Sequence, residues 1–430
     1  MENRRSFQTR AALGAAAAGV SSARAASDQF VVGFIGTGSR AFGALIPQFK
    51  FNPGFRIAAL CDVFKPNLER AAGIAGGNVD TYGDYRRVLD RKDIDVVVIA
   101  TPDHWHCPMV IEACEAGKDI YLEKPVSNDI DMCLKAVAAA RQYKRVVQVG
   151  LMQRTSTPFM EAYKVVQSGI LGRVRHVVVV NPGGAVRGGG RGAVGSAGSS
   201  GGRAAMSAEP SNPPPDLDWE MFQGPAPRRP YSSLRHHSWR SYWEYGGSPL
   251  SDDVHALDIA HWYLGVTEPA RRAAAAYGWF NHPHDDRVPD TIEASWQYPN
   301  FVADYSSRSE DFPGAFGTHL WGDEGVLFVN RFGYELRPVT SNWRSTGGKP
   351  PFEEKKVALH DELPNGQASF ESDSGRLIQN FLACIKSRER PVCDIEIGAI
   401  STIPTLMAGV SIRSGGKAIA WNGYGAALLE

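Results

Sequence analysis

The sequence predicts an α/β protein in two parts: a doubly wound parallel sheet, then an α+β unit with an open, largely antiparallel sheet. Three observations carry this. A glycine loop joins an apolar strand to a helix near residues 30–50, strands and helices then alternate to residue 149, and past Gly150 the pattern turns to short strands separated by turns. With 430 residues, two domains are expected, each large enough to bury a core. The 46 basic and 46 acidic side chains balance, which argues against a nucleic-acid partner, since such proteins need a basic face. Six cysteines, with neither metal-ligand spacing nor the density of a disulfide scaffold, read as buried thiols.

Residues 1–25 run from Arg4-Arg5 through an Ala-rich stretch to Ala23-Arg24-Ala25. A basic start, a short weakly apolar stretch and an A-x-A site form a secretory pattern, and the adjacent arginines point to the twin-arginine route. That predicts a periplasmic or exported protein with no stable membrane anchor. The segment holds four arginines against Glu2, so the remaining 405 residues would carry 0 − 3 = −3. No later segment reads as a membrane span.

The next domain is expected over residues 26–150. Phe30 to Ile35 is a strand that delivers Gly36-Thr37-Gly38-Ser39-Arg40-Ala41 into a helix from about Ser39 to Lys50. This G-x-G-x-x-A is the Rossmann fingerprint: Gly36 permits the turn, Gly38 lets a pyrophosphate approach the backbone, and Ala41 allows close helix packing. The helix N-terminus offers free N–H groups to phosphate. A second strand, Phe55 to Leu60, ends in Cys61-Asp62, which places a carboxylate at the ribose hydroxyls and favours NAD over NADP. Helices near Lys65 to Gly73, Asp84 to Leu89, Pro108 to Ala116 and Ile130 to Gln142 alternate with strands at Asp95 to Ala100, Asp119 to Leu122 and Arg145 to Val149. Apolar runs such as Val96-Val97-Val98-Ile99 fit a sheet covered on both faces.

Ligands in such sheets sit beyond the carboxyl ends of the strands. Those ends carry Thr101-Pro102-Asp103-His104-Trp105-His106, Glu123-Lys124-Pro125 and Gly150-Leu151-Met152-Gln153-Arg154. With the glycine loop, these stretches resemble the Gfo/Idh/MocA oxidoreductases, and the resemblance extends over essentially all of the chain past the leader. It implies cofactor contacts from Gly36 to Ala41, Asp62, Thr101, Pro102, His104, His106, Glu123, Lys124 and Gln153, with Lys124 beside the nicotinamide and the reacting hydroxyl. A lysine there can hydrogen-bond an alcohol oxygen and relay its proton. A metal at His104 and His106 is disfavoured, because no further ligands accompany them.

Residues 151–430 form the expected second domain, for substrate binding and oligomerisation. A helix from Pro158 to Ser168 and a strand from Val174 to Val180 lead into residues 181–215, a Gly-, Ser-, Arg- and Pro-rich stretch read as a long flexible insertion. Aromatics beside glycines, Trp239, Tyr242 and Trp243, suit either a sugar ring or a core, and as candidate substrate residues they are joined by Arg154. The family's second signature is an aspartate and a histidine four apart, with another aspartate three further on. Here it reads Ser251-Asp252-Asp253-Val254-His255-Ala256-Leu257-Asp258. His255 and Asp258 match, whereas Asp252 takes the first position only with a one-residue deletion, the alternative being Ser251. Strands near Arg271 to Tyr277, Thr291 to Gln297, Val302 to Ser307, Phe316 to Trp321 and Val326 to Asn330 build the sheet, and helices at Ser369 to Ser387 and Ile397 to Arg413 close the chain.

The resemblance implies an NAD-dependent oxidoreductase for a sugar, cyclitol or related polyol, working as a homo-oligomer. His255 exchanges the hydroxyl proton, Lys124 polarises the oxygen, and Asp252 and Asp258 orient them. The alternative is a glycosidase that uses NAD for transient oxidation and elimination. A binding protein with a vestigial site is disfavoured by the intact glycine loop, Asp62, Lys124 and His255.

Overall fold

The computed structural model describes residues 29–181, 207–280, 286–307, 317–339, 348–359, 368–423 and 426–428. The expected leader, 1–25, and most of the expected insertion, 181–215, lie outside them.

The first sheet has six strands, β1 (Phe30–Ile35), β2 (Phe55–Cys61), β3 (Asp80–Tyr82), β4 (Val96–Ile99), β5 (Asp119–Leu122) and β6 (Val147–Val149). Their order is β3-β2-β1-β4-β5-β6, and all neighbours are parallel. Every residue of β4 and β5 is buried, because helices cover both faces of the sheet. The chain reverses direction across the sheet between β1 and β4, which opens a crevice at their carboxyl ends. The helix after β1 is helical from Ser39 to Phe51 but takes a π-turn over Ala41–Leu45. Pro47 has no N–H to return to the preceding turn, and a π-turn just before it absorbs the mismatch.

The second sheet has ten strands: β7 (Val174–Val180), β8 (Arg272–Gly278), β9 (Thr291–Gln297), β10 (Val302–Ser306), β11 (Gly317–Gly322), β12 (Gly325–Asn330), β13 (Gly333–Pro338), β14 (Lys355–Ala358), β15 (Ile419–Trp421) and β16 (Ala426–Leu428). The order is β14-β13-β12-β11-β7-β10-β9-β8-β15-β16. The observed pairs are antiparallel except β7 with β10. β9 alternates exposed and buried residues, as a strand with one covered face should.

Two helix starts differ from the sequence expectation. The first of the closing pair begins at Asp373, where the Ser372 side chain caps the Gly375 N–H, and the second begins at Ile395, capped by Asp394. The second, Ile395–Arg413, is long and apolar enough to cross a membrane, against the expectation that no segment past the leader is. Yet 78% of its most apolar window is buried, against β8, helix Ile130–Gln142 and helix Val254–Leu264. Its apolarity is that of a core helix. All six cysteines are free and buried.

Candidate active site

The glycine loop has the geometry that a bound dinucleotide requires. Gly36 sits at φ +83°, and a Cβ there would lie 2.7 Å from the Ala100 carbonyl carbon and the Thr101 nitrogen. The Ala100-Thr101 peptide therefore closes on the loop, and only glycine fits. Around Gly38 nothing lies within 4 Å of a notional Cβ, so that side of the loop is open at the start of the helix. Ala41 is fully buried. Asp62 accepts from the Thr37 N–H at 2.7 Å, the Thr37 hydroxyl at 3.0 Å and the Phe64 N–H at 2.9 Å. Burial raises its pKa, and these three donors oppose the rise. Asp62 thus braces the loop. Ser39 is exposed at the helix start, while Arg40 pairs with buried Glu123 at 2.7 Å and ties the loop to the end of β5.

Lys124 follows Glu123 and precedes a cis-proline, Pro125. Its ammonium donates to Asp252 Oδ1 at 2.7 Å. Asp252, rather than Ser251, therefore faces the lysine; a 3₁₀ turn over Ser251–Asp253 leads into helix Val254–Leu264 and presents it. Arg240 Nε also reaches Asp252, at 3.1 Å. Burial works against the Asp252 charge, but Lys124 and Arg240 outweigh it and hold the carboxyl well below its usual range. His255, on the first turn of that helix, is 8% exposed, and its Nδ1 has no partner. Burial first, then the positive charges of Lys124 and Arg331, push its pKa well below the ordinary value, so the ring is neutral at pH 7.

Asp252 and His255 line one pocket with Gln153, Asn181, Asp253, Asn330 and Arg331. Gln153 Oε1 is buried without a partner, an acceptor free for a ligand donor.

Several expected ligands are otherwise engaged. His106 sets Nδ1 against the Pro125 carbonyl at 2.6 Å and Nε2 against the Thr101 carbonyl at 3.0 Å, so both nitrogens are taken by backbone. His104 Nε2 meets the Phe222 carbonyl at 2.9 Å. These bonds brace the loops, and His104 Nδ1 is left buried without a partner. Arg154 makes a two-pronged pair with Asp258, at 2.8 Å on both arms, and Ser401 donates to the same carboxylate. Arg154 is therefore not free for substrate, nor Asp258, 1% exposed, for the reacting group. Asp258→Asn is expected to destabilise the fold by about 3–5 kcal/mol, because it strands a largely buried guanidinium; urea unfolding checks this. Tyr242 is 2% exposed in a small aromatic core with Trp219, Phe222 and Tyr245, and Arg235 lies over its ring. That excludes it from stacking on a sugar. Trp243 packs on the main core beneath Arg413, whereas Trp239 carries Arg240 over its face at 4.1 Å and so stands beside the Asp252 cluster.

Four further residues join the site: Asn181, whose side-chain amide donates to Asp253, and Arg240, neither in a motif, together with Asp253 and Asp103, which stand inside motifs that gave them no role. Asp103 is fully buried, 4.0 Å from Arg240, and burial pushes its carboxyl up to about 7. An acid whose folded pKa lies above its unfolded one stabilises the fold only at low pH; the benefit is lost between about 4 and 7. Asp103→Asn is therefore expected to raise the melting temperature at pH 8 by more than at pH 5, by the equivalent of about 2–4 kcal/mol. An equal change at both pH values would contradict it.

Fold and site together define a Rossmann domain joined to an α/β domain, with a nucleotide-type glycine loop at the crevice. The family model described as oxidoreductase family, NAD-binding Rossmann fold, matches residues 30–151, and that described as oxidoreductase family, C-terminal alpha/beta domain, matches residues 155–274. The chain belongs to the Gfo/Idh/MocA oxidoreductase family. Among curated relatives, a glycosyl hydrolase family 109 protein of Shewanella sp. (strain W3-18-1) is 34% identical over 153 residues, 34% of this chain and 33% of that protein. Another, from Shewanella baltica (strain OS155 / ATCC BAA-1091), is 33% identical over the same length and the same shares. The match spans about a third of the length of these relatives. Among solved structures, the aldose-aldose oxidoreductase from Caulobacter crescentus complexed with glycerol superposes with a TM-score of 0.62 at 18% identity, over 92% of this chain and 100% of that one. A levoglucosan dehydrogenase in complex with NADH and levoglucosan gives 0.63 at 18% identity, over 91% and 99%. A 3-ketoreductase from Actinomadura kijaniata holding NADP gives 0.59 at 17% identity, over 90% and 98%. At such identities the likeness is one of fold.

Proposed function

We propose that the protein is an NAD-dependent oxidoreductase acting on a hydroxyl-bearing carbon of a sugar, cyclitol or related polyol. The observation that carries this is the Lys124 ammonium, held at 2.7 Å by Asp252, in the same cluster as a neutral, buried His255 whose Nδ1 is unpartnered. The residues fit a dinucleotide: Gly36 makes the close turn, open space surrounds Gly38, and Asp62 ends β2 where a ribose would lie. Gly36 to Ala41 and Asp62 would hold the cofactor's phosphates and ribose, with Thr101, Pro102 and Glu123 bracing them. When bound, a nicotinamide supplies the hydride acceptor.

The chain's own residues do the rest. Lys124 donates a hydrogen bond to the substrate oxygen and favours its developing negative charge. His255, whose ring lines the pocket, takes the hydroxyl proton. Asp252 holds the ammonium in place, and the pocket amides, Gln153, Asn181 and Asn330, offer partners for sugar hydroxyls. Arg154 and Asp258 fix helix Val254–Leu264 against the turn after β6, which sets the position of His255.

Asp62 supports NAD over NADP, since a 2′-phosphate would meet its carboxylate. NAD is expected to raise the melting temperature, through binding to the folded state alone, and NADP to raise it less. Equal shifts would remove the preference, and the lack of any shift would remove the cofactor. The reading extends to removal of residues 1–25 on twin-arginine export, a periplasmic or exported location and a homo-oligomeric state. Native mass of the exported protein reports the cleavage and the subunit number. The glycosyl hydrolase family 109 relatives favour a second reading, NAD-dependent glycoside cleavage by transient oxidation and elimination. It predicts release of sugar with no net NADH.

A further inference from the structure

Resting on the oxidoreductase reading, we propose that Arg331 selects an acidic substrate, a sugar acid whose carboxylate it binds while another of its hydroxyls reaches Lys124 and His255. Arg331 lies in the turn between β12 and β13 and lines the pocket together with His255, Asp252 and Gln153. Among the described residues it has no ion-pair partner within salt-bridge distance. The neighbouring arginine, Arg40, is by contrast neutralised by Glu123 at 2.7 Å.

The charge around the pocket is correspondingly positive. Asp252 is matched by two cations, Lys124 at 2.7 Å and Arg240 at 3.1 Å, which leaves an excess of one. Asp253 is buried, and its carboxyl is pushed up to about 7 by burial, so it offsets that excess only in part. His255 is neutral, and Arg331 adds a further full charge. Arg331 stays solvent-exposed, and its pKa is lowered first by partial burial, raised by the nearby Asp373 charge and lowered again by Arg40, so the one carboxylate that acts on it does so at a distance and leaves its donors open to a ligand. A neutral polyol would leave this guanidinium unused, whereas a carboxylate at one end of a sugar chain would meet it as a two-pronged, charge-assisted pair. The remaining walls suit such a molecule: Gln153, Asn181, Thr318 and Asn330 bear polar groups for its hydroxyls, and Phe159 and Val329 take its C–H face. A sugar phosphate shares the anionic chemistry, but a carboxylate matches the planar fork and needs less room.

The test uses NAD-saturated protein with D-gluconate and D-glucuronate as acids, D-glucose and myo-inositol as neutral probes, and D-glucose 6-phosphate as the phosphate arm. Binding is measured by calorimetry and oxidation by NADH formation, in wild type, Arg331→Met and Arg331→Lys. Wild type is expected to prefer an acid, and Arg331→Met to cut the acid-over-neutral ratio by roughly 10- to 100-fold, the worth of a charged hydrogen-bonded pair. Arg331→Lys should restore part of it, and NAD affinity should stay within about twofold. Preference for the neutral sugars, a ratio indifferent to Arg331→Met, or preference for the phosphate would overturn the proposal. So would a matching loss of NAD affinity, which would assign Arg331 to the cofactor. Arg331-dependent binding of acid without NADH formation from any probe would instead sink the oxidoreductase reading and leave the acid site standing.

Discussion

Replacing Lys124 with methionine is expected to lower NAD-linked turnover by about 10²–10⁴-fold, chiefly in kcat, the range by which positioned proton-transfer groups act. Methionine keeps the length and the apolar stem but removes the donor to the substrate oxygen. The loss is not one of folding. Asp252 keeps Arg240 as a cationic partner at 3.1 Å, so no carboxylate is stranded, and the melting temperature should fall only slightly. Circular dichroism and NAD binding taken alongside the rate separate the two effects. Unchanged turnover would return the protein to the class of binding modules.

His255→Asn carries the second large effect, about 10²–10⁴-fold in kcat/KM, and a signature in pH. A base must be unprotonated to act. Because burial and the positive charges of Lys124 and Arg331 depress the His255 pKa, the neutral ring persists below its ordinary titration range. Wild-type kcat/KM should therefore stay level as pH falls through about 6.5 and drop only beneath it. In His255→Asn that acid limb should vanish along with the rate. A wild-type limb at or above 6.5 would show that the base is another group. The same depression makes the folded state lose stability as pH falls below the unfolded histidine value, since the buried ring resists the proton that the unfolded chain accepts.

Much of the first half was legible because its signals are local. The glycine loop, the wholly buried strand Val96–Ile99 and the acid ending β2 each declare themselves within a few residues. The second half declares less. β13 and β14 pair with neighbours but carry weak apolar patterns, and neither was foreseen. The short β3, β15 and β16 were missed because three residues show no period.

The site divides the same way. Lys124 and His255 stand in motifs, and the structure brings them into one cluster through Asp252. Asp258 and Arg154 also stand in motifs, but they satisfy each other across 104 positions, a pairing that spacing does not reveal. Tyr242 shows the limit of reading aromatics beside glycine: the same pattern serves a small core as well as a sugar face. Arg240 and Arg331 come from a 3₁₀ turn and a hairpin with no motif, and only the fold carries them to the pocket region.

The central claim is that this site oxidises a hydroxyl-bearing carbon with a bound nicotinamide. The most direct test is a single-turnover experiment in which NAD-loaded protein is mixed with the sugars, polyols and sugar acids named above while the absorbance of reduced nicotinamide is followed. The account predicts rapid reduction by at least one probe, up to one equivalent per site, abolished in Lys124→Met. Protein that takes up no NAD, or bound NAD that no probe reduces, would contradict it.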